Sequence, residues 1–352
     1  MRPGRGPVLA ALLLLGCGGR GAQAPLPPPS PLHVSPIAGL APSAGLVWLL
    51  DVRPSEIAAH AELFPAIHLL VPEERFSAFA AHNGGLDLRT MNELTIAGYG
   101  KTTMYLARAP LDPARVERAF TQHLVATEGR AIDRQSPRVT ETIVRAWGKT
   151  ADDVEQLAIF GVEGAALERG KPGPLRAAEL FAEGRLKKAS PALRAAPLAR
   201  VAQLLGESPI RAFAPGPFRG EWAQGLGGLM AASTALGIGV RIATPRPDVK
   251  DGGRFDVTLV LLGAWNEDAP AAADRLASVF DVIANDSLGK LTGLHQPLIA
   301  PKVHVAPEGD AIILEVSLDA TMLARGLHFA VDAQVAEVMS YGAPASLTPP
   351  SK

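Results

Sequence analysis

Short apolar runs followed closely by helix openings recur along this chain, and that order limits the folds open to it. Leu46 to Asp51 is apolar, and Pro54-Ser55-Glu56 then opens a helical pattern to about Leu70, with proline near the first helical position and acid in the first turn. Thr102 to Ala107 reads as a strand. Asp112-Pro113 opens a helix in which Val116, Ala119, Phe120 and His123 share one face. In the other half, Phe255 to Leu262 reads as a strand before a helix that Asp268 to Pro270 opens and that runs through Leu276, Val279, Phe280 and Ile283. Ile312 to Leu318 is a strand before a helix capped by Asp319 and running through Met322, Leu323 and Leu327. Leu94 to Tyr99 turns at Gly100-Lys101, and Lys302 to Val305 turns at Pro307 to Asp310, as hairpins do. Thr140 to Trp147 and Gln156 to Val162 add strands, and a helical stretch from Pro174 to Leu205 is broken at Pro191 and Pro197. Hairpins followed by helices in both halves predict an α+β fold: two similar lobes of antiparallel sheet packed with helices.

The chain has 352 residues, enough for one large or two ordinary domains at roughly 100–200 residues each. Ala214-Pro-Gly-Pro-Phe218 is the expected internal boundary, separating a first lobe at 46–213 from a second at 214–342. The last ten residues, 343–352, read as a disordered tail. A net charge of −1 argues against nucleic acid as a partner, because such proteins carry a basic domain or stripe. The single cysteine excludes an intramolecular disulfide framework and a cysteine-rich metal site.

That cysteine has a particular place. Arg2 and Arg5 precede an unbroken apolar run from Val8 to Leu15, the pattern of an export signal and far shorter than the ~20 residues of a membrane-crossing helix. The run ends in Leu14-Leu15-Gly16-Cys17, which resembles the lipobox of bacterial lipoproteins. The resemblance implies removal of residues 1–16, diacylglyceryl transfer to the Cys17 thiol and acylation, palmitate among the chains, of the new amino terminus. Several acyl chains on one residue give a stable anchor, since each buried CH₂ contributes about 0.8 kcal/mol. An ordinary secretory signal cut after Ala22-Gln23-Ala24 is the alternative. Gly18 follows where an aspartate would resemble an inner-membrane retention signal, so the outer membrane is expected over the inner. Residues 17–45, rich in Gly and Pro, then read as a semi-extended tether. The order of elements from Leu157 to Phe213, including Ser190-Pro-Ala-Leu193, resembles a family of uncharacterised secreted bacterial proteins to which no activity is assigned.

Chemistry-bearing motifs are sparse. There is no G-x-S-x-G elbow and no H-E-x-x-H helix. Gly100-Lys101-Thr102 and Gly148-Lys149-Thr150 resemble the end of a P-loop, but Thr95 and Ile143 stand where its first glycine belongs. Gly237-Ile-Gly239 begins like a dinucleotide loop, yet Ile242 replaces the third glycine, and a strand continuing to Ala243 explains it. Ser287-Leu-Gly-Lys290 matches the S-x-x-K of penicillin-binding proteins and β-lactamases without the Ser-Asp-Asn or Lys-Thr-Gly that would complete the site. His60 and His68 lie two turns apart, too far to share an ion. His295 and His304, with Glu308 and Asp310, offer the other histidine cluster. No catalytic set, metal or cofactor is expected.

Two segments suggest contacts. Arg176, Arg185, Lys187, Lys188, Arg194 and Arg200 outweigh Glu179 and Glu183, giving either a solvated helix face or one that meets anionic lipid or an acidic partner. From Trp222 to Val240 no charge occurs, and Trp222, Leu226, Leu229 and Met230 predict a buried amphipathic helix followed by a buried strand. Together these features predict a membrane-anchored envelope lipoprotein that binds a ligand or partner without catalysis. The alternatives are an envelope hydrolase acting on cell-wall or lipid material, and a carrier or assembly factor for lipid or lipoprotein.

Overall fold

The computed structural model describes residues 31–128, 134–135, 143–149, 153–186, 189–243, 253–265 and 268–343. Among them are twelve strands: β1 (Trp48–Val52), β2 (Glu93–Tyr99), β3 (Thr102–Arg108), β4 (Arg134–Gln135), β5 (Ile143–Lys149), β6 (Val154–Phe160), β7 (Gly164–Gly170), β8 (Ile210–Pro215), β9 (Ser233–Ile242), β10 (Arg254–Gly263), β11 (Ile299–Val305) and β12 (Ala311–Asp319). They form one antiparallel sheet in the order β11-β12-β10-β9-β8-β1-β2-β3-β7-β6-β5-β4. The helices before mid-chain are α1 (Pro54–Ala58), α2 (Phe64–Leu70), α3 (Glu73–His82), α4 (Pro113–Glu128) and α5 (Pro174–Ala182). After it come α6 (Leu198–Leu205), α7 (Glu221–Gln224), α8 (Leu229–Ala232), α9 (Ala269–Asn285), α10 (Ser287–Thr292) and α11 (Ala320–Met339). The α+β class follows directly.

The connections repeat. From the central β1–β8 pair outwards, each half lays down a first strand, a hairpin, a helix and a second hairpin, whose last strand pairs beside the first hairpin: β1-β2-β3-β7-β6 and β8-β9-β10-β12-β11. The halves share one sheet, and β8 runs across residues 213 and 214. Alternation then sorts side chains to two faces. On one, Leu49, Met104, Leu106, Phe160, Phe213, Val260 and Ile313 are covered by α5, α6 and a 3-10 turn at Ile37–Leu40. On the other, α9 packs on Leu261, Ile312 and Leu314, and α4 packs on Leu157 and Ile159. α11 crosses to the first half, where Ala320 and Ala324 meet Leu63 and Ala66 and Met339 meets Phe76 and Phe79.

Three expectations change. The Pro-rich segment is not a free tether up to residue 45: Val34, Ile37, Leu40 and Ala41 are core residues, and Tyr99 Oη donates to the carbonyl of Pro42. The apolar residues between these prolines bury against the sheet, which outweighs the extended bias of the prolines. The helical run from Pro54 breaks near His60 into α1, a 3-10 turn and α2. The helix expected from Trp222 is three short pieces, because Gly227 and Gly228 take the left-handed φ of 65° and 87° that ends a helix. Leu229 and Met230 are buried there, but Trp222 is 66% exposed. The strand after it forms as β9.

Candidate functional site

On the α4 face, the sheet is not fully filled. A cavity of about 120 Å³ lies between β2, β3, β6 and β7 below and α3, α4 and the end of α11 above. The sequence builds its walls simply. Leu94, Ile96, Tyr105, Ala107, Leu157, Ala165 and Leu167 project from one side of the pleat. Val116, Ala119, Phe120 and His123, spaced for one helical face, come down from α4. Phe79 and Asn83 close the third side, and Val338 and Tyr341 bring the far end of the chain over the opening. Asn83 Nδ2 holds that end by donating to the carbonyls of Phe79 at 2.9 Å and Tyr341 at 3.0 Å.

The walls are largely apolar, but one end is not. Glu155 and Arg169 face each other across β6 and β7. Glu155 is 1% exposed; its Oε2 accepts from Tyr341 Oη at 2.7 Å and lies 3.5 Å from His123 Nε2, and its Oε1 lies 3.3 Å from Arg169 Nε. Arg169 also reaches Glu337 Oε1 at 3.2 Å and lies over the Tyr341 ring at 5.7 Å. The His123 and Tyr341 rings are 4.6 Å apart. Two of the chain's three tyrosines, Tyr105 and Tyr341, thus line one cavity.

Burial governs the electrostatics here. It pushes Glu155 towards its neutral form, but hydrogen bonds from His123 and Tyr341 and the Arg169 charge outweigh it, so Glu155 titrates below the usual Glu value. Burial raises Tyr341 well above the usual phenol value, and the Glu155 charge adds to the shift. Burial raises Tyr105 too. For Arg169, burial acts against the charge, but Glu155 and the two tyrosines overcome it and raise the guanidinium. No Ser, Thr, Cys or Lys lines the cavity among the described residues. The arrangement suits holding an apolar molecule against a polar stop.

The residues singled out from sequence fall elsewhere. Cys17, Lys187 and Lys188 lie outside the described residues. Arg176 bonds Glu179, Arg185 bonds Glu183, and Arg200 bonds Asp310 and Glu308, while Arg194 is exposed in a 3-10 turn. These cations therefore spread over α5, its loop, the turn and α6, largely neutralised by carboxylates. Glu308 and Asp310 serve Arg200 and not His304, His60 bonds Glu62, and His68 lies 3.6 Å from Glu73. Among the described residues no three His, Cys, Asp or Glu side chains converge as metal ligands do. Ser287 and Lys290 are exposed on α10, which Asp286 caps, and no helix among the described residues is long and apolar enough to cross a membrane. Sequence reasoning found the α4 wall and missed Glu155, Arg169 and Tyr341. Their signal was present: alternation puts Glu155 in register with Leu157 and Ile159, a lone charge at the end of an apolar row.

Comparison with known proteins gives no match to any family model, curated protein or solved structure.

Proposed function

We propose that the chain is a lipid-anchored cell-envelope protein, held through Cys17, that binds a small apolar molecule in the α4 cavity without transforming it. The observation that carries this reading is the cavity itself: apolar walls with one convergent polar end are the usual form of a small-molecule site. No Ser, Thr, Cys or Lys stands in the described lining, and burial keeps the two tyrosine hydroxyls there protonated, which favours binding over hydrolysis. Leu14-Leu15-Gly16-Cys17 supports the anchor, and Gly18 supports the outer membrane. The repeated strand order supports two similar halves descended from one α+β unit.

One experiment tests anchor and cavity together. Toluene, titrated into full-length protein and followed by NMR shifts, is expected to bind saturably, and Ala119→Trp, which fills the space beneath α4, to abolish binding. Cys17→Ser is expected to move the protein from membranes to the soluble fraction and to end palmitate labelling, with toluene binding kept. Toluene binding untouched by Ala119→Trp overturns the cavity reading, and a Cys17→Ser protein that stays acylated overturns the anchor.

A further inference from the structure

The walls of the α4 cavity are held unequally. Its floor is hydrogen-bonded sheet, β2-β3-β7-β6, and α4 is pinned to it by Val116, Phe120 and Leu124, all buried. Phe76 and Phe79 pin α3. The end of α11 has a single peg of this kind: Met339 packs on Phe76 and Phe79, and no residue between Gly326 and Met339 is fully buried. Past Met339 the attachment is mainly polar. The Tyr341 carbonyl accepts from Asn83 Nδ2 at 3.0 Å, Tyr341 Oη donates to Glu155 Oε2 at 2.7 Å, and the ring rests 4.6 Å from that of His123. The chain then turns against the end of α3 at Gly342, where φ is 81° and a Cβ would fall 3.2 Å from His82 Cβ.

We propose that residues 338–342 are a gate, and that a ligand enters and leaves the cavity between them and α3 when Tyr341 releases Asn83 and Glu155. The inference rests on the cavity being a ligand site. Val338, Tyr341 and Gly342 line it on one side of this seam, and His82 and Asn83 line it on the other, so parting the seam opens the cavity directly. The cost also favours this route. Parting the seam breaks hydrogen bonds that water can replace and disturbs one buried methionine. Lifting α4 would instead expose three large apolar side chains, for which water offers no compensation. Segments with few buried apolar contacts are the ones that open locally while the rest of a domain stays folded. Access to a cavity floored by the first half is thereby set by a helix from the second.

Toluene association and dissociation rates, read from NMR line shapes of full-length protein, test the route. Tyr341→Phe keeps the ring and loses the bond to Glu155. It is expected to raise the association rate roughly tenfold, the worth of one hydrogen bond to a charged group. The loss of a mere wall contact would raise dissociation and leave association alone. Met339→Ala, a change outside the cavity lining, is expected to raise association as well. Leu124→Ala loosens α4 from the sheet instead and is expected to leave association at the parent rate. An association rate left unchanged by either Tyr341→Phe or Met339→Ala overturns the gate. A rate that Leu124→Ala raises above theirs also overturns it and puts the route under α4. Tyr341→Phe decides alone where a truncation does not fold. Those results leave the cavity standing as a site if Ala119→Trp still blocks toluene. Failure of toluene to bind the parent protein removes the cavity reading, and this inference with it.

Discussion

Glu155 and Glu168 are both 1% exposed, yet their surroundings drive them in opposite directions. Burial pushes each up from an ordinary value near 4.5. For Glu155, the hydrogen bonds of His123 and Tyr341 and the Arg169 charge reverse the shift. Glu168 stays raised, although it accepts from the backbone N–H groups of Gly173 and Leu175 at the start of α5. Folding therefore favours ionised Glu155, whose contribution is full above its unfolded value and is lost as pH falls through the lower folded one. Folding favours protonated Glu168, whose contribution is full below its unfolded value and is lost as pH rises through the higher folded one. Glu155→Gln is accordingly expected to cost about 1–3 kcal/mol at pH 7 and less at pH 4, whereas the cost of Glu168→Gln grows over the same fall. Urea midpoints of the three proteins at the two pH values measure this. A Glu155→Gln penalty that does not change with pH would show that the charge of Glu155 is not what its neighbours stabilise.

At the scale of elements, α6 sits on β9 at a distance set by glycine. A Cβ on Gly237 would fall 2.1 Å from Val201 Cγ1 and 3.1 Å from Leu205 Cδ1, both on the buried stripe of the helix. Gly237→Ala is expected to destabilise the protein by about 1–3 kcal/mol through overpacking. Val201→Ala alone opens a void, while the double variant returns part of the loss, and a urea double-mutant cycle reads this as a coupling of about 0.5–3 kcal/mol. A Gly237→Ala protein as stable as its parent means the helix can rise off the sheet freely. The glycine that resembled part of a nucleotide loop is therefore a packing device. Elements whose signal is local were legible in this way: α4 and α9 from apolar spacing, and α11 from Asp319, whose Oδ1 accepts from the Met322 N–H at 2.8 Å. What local signals could not give was pairing. Nothing in Glu155, Arg169 or Tyr341 taken singly places them together, because Tyr341 stands 186 residues from Glu155 and meets it only when α11 crosses the sheet.

That crossing makes the cavity a property of the whole molecule. Its floor and α4 wall come from the first half, and Val338 and Tyr341 come from the end of the second. The central seam binds the halves as well: Arg211 on β8 donates to Asp51 Oδ2 on β1 at 2.6 Å, and Thr95 Oγ1 donates to Asp51 Oδ1 at 3.0 Å, in a site only 6% exposed at the aspartate. One apolar core runs from Ile143 and Phe160 in the first half to Val260 and Ile313 in the second. Two lobes with separate cores would unfold independently, whereas a shared sheet, a shared core and the crossing of α11 onto the first half lead us to expect a single transition. Trp147 on β5 and buried Trp265 after β10 report on the two halves. In variants that keep one of these tryptophans and replace the other three with phenylalanine, fluorescence is expected to give the same urea midpoint after correction for the substitutions. Arg211→Met removes the guanidinium bonded to the buried Asp51 carboxylate, at a cost of about 3–5 kcal/mol. It is therefore expected to lower both midpoints by the same amount, although it touches neither tryptophan. Midpoints that separate, or a shift confined to Trp265, would mean that the halves fold as autonomous units and that the cavity closes only when they dock.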